Sequence, residues 1–235
     1  MGAVVSSTVN RGGGTVAVVV IGGGPLSPRA VEMWNDLAES GAPTLVIAAD
    51  SGLDHAVAAG LRPDRLVGDL DSISAAGRMW AYANGVDIDE HPVAKDETDT
   101  ELALAVAVAD PAVASVIVLG GLDPAADDRL DHLLGTLLVL GHPSLSGLES
   151  VGAVLGGSEV VVVHPGNTTV LPLAAGQVFS LLALHGPCDG VNVTGAHWPL
   201  QHATITGYEA RGVSNVSNGD TTVAVAHGTL TVVMP

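Results

Sequence analysis

The residues best suited to chemistry in this 235-residue chain begin with two aspartates placed two positions apart. Asp69 and Asp71 follow a short apolar run at residues 65–67, which has the composition of a buried strand. Residues two apart in extended backbone point to the same side, so we expect both carboxylates to converge just past the carboxyl end of that strand. Ligands of open α/β sheets bind at this edge, although Asp-x-Asp-Ser is also a common turn composition.

A second acidic segment lies further along the chain. Asp96 and Asp99 flank the start of a helix predicted over residues 99–109, with Thr98 as its N-cap. Acidic groups are favoured at a helix start, so ordinary capping explains this segment when it is taken alone. Together, the two segments offer carboxylate oxygens with no Cys or His nearby, which is the donor set that suits Mg²⁺. Lys95, the only lysine of the chain, adds a point charge for a phosphate.

The elements that must position these side chains alternate between strands and helices over residues 15–164. Runs rich in Val, Ile and Leu are typical of strands buried on both faces, and the alternation predicts a doubly wound parallel sheet of the Rossmann-like α/β class. Short Val-, Thr- and Leu-rich runs then predict a small C-terminal all-β sandwich over residues 165–235, with a two-residue hairpin turn at His227-Gly228. Residues 1–14 are predicted to be a flexible tail, and residues 141–157, rich in Gly, Ser and Pro, a linker region.

Two other strand ends in the first domain carry candidate ligand contacts. Gly22-Gly23-Gly24 separates a predicted strand from a helix capped by Ser27, as in phosphate-binding loops, although a tight structural turn explains the glycines equally well. Asp50 ends the strand predicted at residues 44–49. It either joins the same crevice or caps the helix that follows.

A further polar motif, Arg129-Leu130-Asp131-His132, opens a helix predicted to run to about residue 140. The planar guanidinium of Arg129 suits a phosphate, and Asp131 suits a cationic or hydrogen-bonding substrate. The alternative is an Arg–Asp surface pair near a helix start, which contributes little to stability.

Composition excludes several classes of partner. Acidic residues number 25 against 8 basic ones, for a formal net charge of -17. Nucleic acid needs a basic protein surface and anionic membranes attract one, so we expect neither as a partner. A polyanionic substrate remains compatible if a divalent cation neutralises it locally. The single cysteine, Cys188, cannot form an internal disulfide and we recognise no targeting signal, so we expect a cytoplasmic protein.

In their order along the chain, these motifs resemble the signature of the thiamine pyrophosphokinase family. The resemblance covers nearly the whole chain from about Val16 and includes two weaker C-terminal segments similar to that family's thiamine-binding motifs. One departure is that Asp127-Asp128 stand where two glycines usually precede the arginine. The matching segments are Asp50-Ser51-Gly52, Gly68-Asp69-Leu70-Asp71-Ser72, Lys95-Asp96-Glu97-Thr98-Asp99-Thr100-Glu101, Arg129-Leu130-Asp131-His132, Trp198-Pro199-Leu200 and Gly212-Val213-Ser214-Asn215.

The resemblance implies transfer of a pyrophosphoryl group from ATP to the hydroxyl of thiamine, which gives thiamine diphosphate and AMP and depends on Mg²⁺. The implied Mg²⁺ ligands are Asp71, Asp96 and Asp99. Asp69 would orient or share the ion, and one of these four carboxylates would take the hydroxyl proton. The implied ATP contacts are Gly23, Gly24, Asp50, Ser51, Lys95 and Arg129.

Thiamine is a flat cation, so aromatic stacking and an acidic surround suit it. The implied thiamine contacts are Asp131, Trp198, Ser214 and Asn215. The alternatives are a core or lid role for the tryptophan and a β-turn for the Ser-Asn pair. In proteins of this family the pocket forms between two subunits, so we expect a homodimer.

Two other functions are compatible with the same residues. A related pyrophosphokinase acting on a pterin alcohol would keep the metal chemistry and change the acceptor. A non-catalytic ligand-binding relative would keep the fold, although it would have no need of the acidic set.

Overall fold

The computed structural model describes residues 13–121 and 130–235, which contain thirteen strands and five α-helices. The strands are β1 Thr15–Val20, β2 Thr44–Ala49, β3 Arg65–Gly68, β4 Asp87–Glu90, β5 Val113–Gly120, β6 Ser150–Leu155, β7 Ser158–Val163, β8 Thr168–Leu171, β9 Val178–Leu182, β10 Cys188–Ala196, β11 Leu200–Ile205, β12 Asn215–Ala224 and β13 Leu230–Met234. The helices are α1 Pro28–Glu39, α2 Gly52–Ala58, α3 Ala75–Asn84, α4 Asp99–Ala109 and α5 Leu130–Val139, and a 3₁₀ turn spans Pro143–Leu145. Arg129 and most of the predicted tail lie outside the described residues.

The N-terminal part is a parallel sheet in the order β6-β5-β1-β2-β3-β4. Alternate residues of β1 face opposite sides, so Val16 and Val18 pack with α1 while Ala17 and Val19 pack with α4. Helices therefore cover both faces, which confirms the predicted doubly wound sheet. The chain passes from β1 outward to β4 and returns to β5 on the other side of β1, which places the topological switch point between β1 and β5.

Local capping fixes the helix starts that the sequence predicts. The Ser27 side chain accepts a hydrogen bond from the Ala30 N–H at 3.2 Å, and Pro28 occupies the first turn of α1. Thr98 and Glu101 form a reciprocal capping box that opens α4. Since Asp99 is the first residue of α4, this cap also fixes the position of one candidate site carboxylate.

The C-terminal part is antiparallel and continues the same hydrogen-bonded order. β7 pairs with β6, β13 pairs with both β7 and β9, and β12, β10 and β11 follow. Strand β12 pairs with β9 at its start and with β8 and β10 near its end. It therefore connects β9, which pairs with β13, to the group formed by β8, β10 and β11. The predicted boundary between residues 164 and 165 falls between β7 and β8 and stays a prediction.

Two local predictions are wrong. The glycine-rich residues 141–157 are not a linker, because they contain the buried strand β6, and Gly156-Gly157 form the two-residue turn that joins β6 to β7. His227-Gly228 do not form a hairpin turn, because β12 and β13 pair with other strands, and His227 instead bridges to Asp189. Among the helices of the described ranges, none has the length and apolar composition that a bilayer span requires.

Candidate active site

Three carboxylates from separate loops meet at the carboxyl edge of the parallel sheet. Asp50 follows β2, Asp69 follows the neighbouring strand β3, and Asp99 opens α4, which packs against both strands. One carboxylate oxygen of each residue lies within 4.8 Å of the other two. We call Asp50, Asp69 and Asp99 the acid cluster. Adjacent parallel strands end side by side, which is why residues distant in sequence converge here.

Asp50 is the most deeply buried member of the acid cluster. Its Oδ2 accepts a hydrogen bond from the Ser72 hydroxyl, whereas its Oδ1 is buried and has no hydrogen-bond partner in the described part of the chain. Burying a carboxylate oxygen without a partner costs about 1–3 kcal/mol or more, so this oxygen is suited to a cation. The backbone of Asp50 lies at φ +46°, and its N–H donates to the Val67 carbonyl at 2.9 Å, which holds the strained residue in place.

Asp69 and Asp71 lie on a tight turn, so the expectation of extended backbone between them is wrong. Leu70 has φ +62° and a fully buried side chain, and the Asp71 N–H donates to Asp69 Oδ1 at 3.2 Å. Arg78 lies on α3, and its guanidinium donates a hydrogen bond to the Leu70 carbonyl. Burial of the leucine side chain therefore turns the chain, and this turn brings the two carboxylates together.

Gly68 forms the backbone wall of the acid cluster. Its φ is +145°, and a Cβ built on it would lie 3.1 Å from Asp50 Cβ and 3.1 Å from Asp99 Oδ1. Only glycine leaves room for both carboxylates at this approach. The motif in the sequence includes this glycine, but its contact with Asp99 depends on how α4 packs over β3.

Lys95 inserts its ammonium between two members of the acid cluster. Its Nζ lies 2.8 Å from Asp99 Oδ1 and 3.5 Å from Asp69 Oδ2, and the side chain is only 11% exposed. The hydrogen bond to Asp99 raises the pKa of Lys95, so the ammonium stays charged at neutral pH. The Asp71 N–H, and then Lys95, hold the pKa of Asp69 below its usual value.

Asp71 lies beside the acid cluster but is open to solvent. The negative charge of Asp69 raises the pKa of the Asp71 carboxyl, with smaller contributions from desolvation and from Asp50. Asp96 is exposed and makes no hydrogen bond or ion pair within the described ranges. The structure thus brings Asp50 into the cluster with Asp69 and Asp99, places Asp71 at its margin and leaves Asp96 outside it.

The glycine loop after β1 lies at the switch point of the same sheet edge. Gly23 and Gly24 have φ +104° and +137°, conformations that favour glycine. A Cβ on Gly23 would lie 3.0 Å from the Gly121 carbonyl, so the loops that follow β1 and β5 touch. The Ser51 hydroxyl occupies the space where a side chain on Gly22 would lie. Contact of these residues with ATP stays a prediction.

The C-terminal candidates lie in the antiparallel part. The Asn215 side chain accepts the Trp198 N–H at 3.1 Å and donates to the Trp198 carbonyl at 2.8 Å, so it positions the tryptophan. The Trp198 indole is half exposed and meets the His197 ring edge-on. Ser214 has φ +60°, and its N–H donates to the Ser180 hydroxyl at 3.1 Å. Asp131 is exposed in the first turn of α5.

Comparison with protein families assigns both parts of the chain. The thiamin pyrophosphokinase catalytic domain matches residues 40–150, and the thiamin pyrophosphokinase vitamin B1 binding domain matches residues 168–230. The chain belongs to the thiamin pyrophosphokinase family. The presence of both domains supports thiamine pyrophosphokinase function, and a comparison with curated proteins gave no match.

Solved structures of this family share the fold. Thiamine pyrophosphokinase from Bacillus subtilis is 23% identical with a TM-score of 0.74, and the alignment covers 94% of this chain and 98% of that one. The enzyme from Geobacillus thermodenitrificans is 24% identical with a TM-score of 0.71, covering 94% and 96%. Yeast thiamin pyrophosphokinase is 13% identical with a TM-score of 0.68, covering 97% and 88%. At these identities the likeness establishes the architecture, including the parallel sheet and the antiparallel C-terminal region.

Proposed function

We propose that the protein transfers a pyrophosphoryl group from ATP to the hydroxyl of thiamine, which gives thiamine diphosphate and AMP. The observation that carries this proposal is the acid cluster, three convergent carboxylates at the ligand-binding edge of the sheet, in a chain with both family domains. The protein has a net charge of -17, so a triphosphate needs a cation to approach it.

The residues of the acid cluster fit a magnesium ion. All three donors are carboxylates, and the buried Oδ1 of Asp50 has no hydrogen-bond partner in the described residues. Mg²⁺ is usually held by one or two carboxylates together with substrate phosphates, and three candidate oxygens meet that need. When bound, the ion would neutralise and orient the triphosphate. Asp50, Asp69 and Asp99 would hold it, in place of the set Asp71, Asp96 and Asp99 that the resemblance implies.

The residues around the acid cluster position its carboxylates. Ser72 orients the Asp50 carboxylate through its hydroxyl, and the lack of a side chain at Gly68 leaves room for Asp50 and Asp99 beside it. Lys95 would balance phosphate charge at the same edge, as would Arg129, which lies outside the described residues. Positioning and charge balance are the main demands of phosphoryl transfer.

Asp71 is the best candidate for the proton acceptor. Its carboxyl has a raised pKa, lies next to the acid cluster and is exposed to solvent, where an acceptor alcohol could reach it. In the proposed step the thiamine oxygen bonds to the β-phosphorus, and the bond from that phosphorus to the oxygen that bridges it to the α-phosphorus breaks. AMP leaves with the bridging oxygen, and the Asp71 carboxylate receives the hydroxyl proton.

The positions of Trp198 and the acid cluster support a homodimer. Seven strands lie between β10, which precedes Trp198, and β2, which precedes Asp50, in the hydrogen-bonded order: β12, β9, β13, β7, β6, β5 and β1. If Trp198 stacks on thiamine, a second copy of the chain would bring it to the acid cluster of the first.

The adenine nucleotide would lie across Gly23, Gly24 and Ser51 at the switch point. The expected setting is the cytoplasm, which suits the unpaired, buried Cys188 thiol.

AMP formation from ATP tests the proposal. We expect AMP release with Mg²⁺ and thiamine together, little without thiamine, and none from Asp99→Asn, which keeps the shape of the side chain and removes its charge. Release that depends on hydroxymethyl-dihydropterin and not on thiamine would identify the pterin alternative. Binding of thiamine without AMP formation, under any metal condition, would identify the non-catalytic relative and contradict the proposal.

A further inference from the structure

The acid cluster holds a cation that belongs to the protein itself. The Lys95 ammonium lies 2.8 Å from Asp99 and 3.5 Å from Asp69, the two members of the cluster that are not hydrogen-bonded to Ser72. Lys95 is the only lysine of the chain, and its side chain is only 11% exposed. A lysine side chain has about 2 kcal/mol of rotamer entropy, so fixing it here requires a strong electrostatic gain.

The ammonium pairs with two carboxylates, Asp69 and Asp99, of a group of four acidic side chains. One carboxylate oxygen each of Asp50, Asp69 and Asp99 lies within 4.8 Å of the other two, and Asp71 is hydrogen-bonded through its N–H to Asp69 at the margin. Without a positive charge among them, like charges at this separation would push the loops after β2 and β3 and the start of α4 apart. Lys95 precedes α4 by one turn of chain and reaches back into the cluster, so it connects the helix start to the loop after β3.

The same carboxylate oxygens cannot bind a divalent ion and the Lys95 ammonium at the same time. A magnesium ion binds carboxylate oxygens at about 2.0–2.1 Å in a near-octahedral shell and keeps several waters, which leaves little room for an ammonium on the same oxygens. An ammonium is a point charge on a flexible stem and can turn to another acceptor. Phosphate oxygens of a nucleotide at this edge are the natural second acceptor.

We infer that Lys95 is the resident counter-ion of the acid cluster. It holds Asp69 and Asp99 within reach of Asp50 before a divalent ion binds, and its ammonium moves from these carboxylates to phosphate oxygens when the ion and nucleotide enter. This role rests on the proposed function and adds an order of events, because the divalent ion must displace Lys95. It also explains how an acidic crevice stays assembled without metal.

Removal of the ammonium has two opposite consequences. Lys95→Met keeps the unbranched, flexible stem of the side chain but leaves the carboxylates unbalanced, so the metal-free protein becomes less stable. The divalent ion no longer competes with an internal cation, so its apparent affinity rises about tenfold, the lower end of the effect of one charge at 4–6 Å. Arg65→Met is the matched control, because Arg65 lies at the opposite end of β3 and pairs with Asp87 at 3.6 Å.

Thermal denaturation with increasing Mg²⁺ concentration, at constant ionic strength and without nucleotide, tests the inference. In EDTA, we expect Lys95→Met to have a lower Tm than both wild type and Arg65→Met. When Mg²⁺ is added, the Tm of Lys95→Met should rise at a Mg²⁺ concentration about tenfold lower than the concentration that raises the Tm of wild type. The role of Lys95 would be overturned if the Tm of Lys95→Met needed as much Mg²⁺ to rise as the Tm of wild type, or more. A Tm in EDTA equal to that of Arg65→Met would overturn it as well.

The outcomes separate this inference from the proposed function. A Mg²⁺ response in Lys95→Met with none in wild type supports the inference, because the internal cation then excludes the ion until nucleotide arrives. A wild-type response that Lys95→Met does not strengthen defeats the inference and leaves the metal site intact. No response in either protein, with or without ATP, removes the metal site and the inference with it.

Discussion

Replacing Gly68 by alanine places a methyl group against the acid cluster. The new Cβ would lie 3.1 Å from Asp50 Cβ and 3.1 Å from Asp99 Oδ1, closer than ordinary van der Waals contact, so a carboxylate must move by a few tenths of an ångström. The backbone is also strained, since φ +145° is a region that residues other than glycine rarely adopt. We expect a loss of about 1–3 kcal/mol in the free energy of unfolding from the backbone alone.

The effect on turnover should exceed what the loss of stability explains. Displacement by 1 Å can reduce catalysis by about a hundredfold, so a shift of a few tenths of an ångström predicts a loss of about tenfold in kcat/KM. Gly186→Ala is the matched control, because Gly186 has φ +112° and open space around the Cβ position, far from the acid cluster in sequence. It should lose stability and keep its turnover.

Steady-state AMP formation with thiamine, measured well below the Tm of each variant, compares the two substitutions. Chemical denaturation of the same samples gives the stability change. If Gly68→Ala and Gly186→Ala had the same kcat/KM, the contact of Gly68 with the carboxylates would have no role in the reaction, and our account of the cluster geometry would be refuted.

Three further substitutions test other parts of the molecule. Ser72→Ala removes the hydrogen bond to Asp50 and should raise the Mg²⁺ concentration for half-maximal AMP formation about tenfold; an unchanged Mg²⁺ dependence would contradict this. Asn215→Ala should raise the KM for thiamine more than it lowers kcat, because the Trp198 backbone loses both hydrogen bonds; a change in kcat alone would contradict that role. Burial raises the pKa of the Cys188 thiol from 9.0 to about 11, so the unfolded chain loses this proton first and stability falls as pH rises from about 9 to 11. Denaturation of wild type and Cys188→Ala across this range should show a steeper fall in wild type, because the loss of the Lys95 charge contributes equally to both proteins.

Local signals in the sequence predict the parts of the fold that local physics decides. Ser27 and Thr98 each cap the predicted helix, because a side-chain oxygen satisfies a backbone N–H within the same turn. The buried strands of the parallel sheet follow from continuous apolar runs. These features depend on residues that are close together in the sequence, so a single sequence is enough to recognise them.

Features that depend on distant contacts were harder to predict. Whether Asp50 caps a helix or joins the crevice is decided by the pairing of β2 with β3, which brings it to Asp69. The Asp-x-Asp-Ser composition leaves a turn and extended backbone both open, and burial of the Leu70 side chain at φ +62° decides for the turn. Gly156-Gly157 resembles linker composition, and only the pairing of β6 with β7 identifies it as a hairpin turn.

Determining which carboxylates bind the metal ion tests the role of the acid cluster most directly. A crystal of the protein grown with Mn²⁺ and a non-hydrolysable ATP analogue would locate the ion by its anomalous scattering. We predict a peak bonded to carboxylate oxygens of Asp50, Asp69 and Asp99, with Lys95 turned toward phosphate oxygens. A peak bonded to Asp96, or one at a site away from Asp50 and Asp99, would contradict the proposal that this acid cluster holds the ion for pyrophosphoryl transfer.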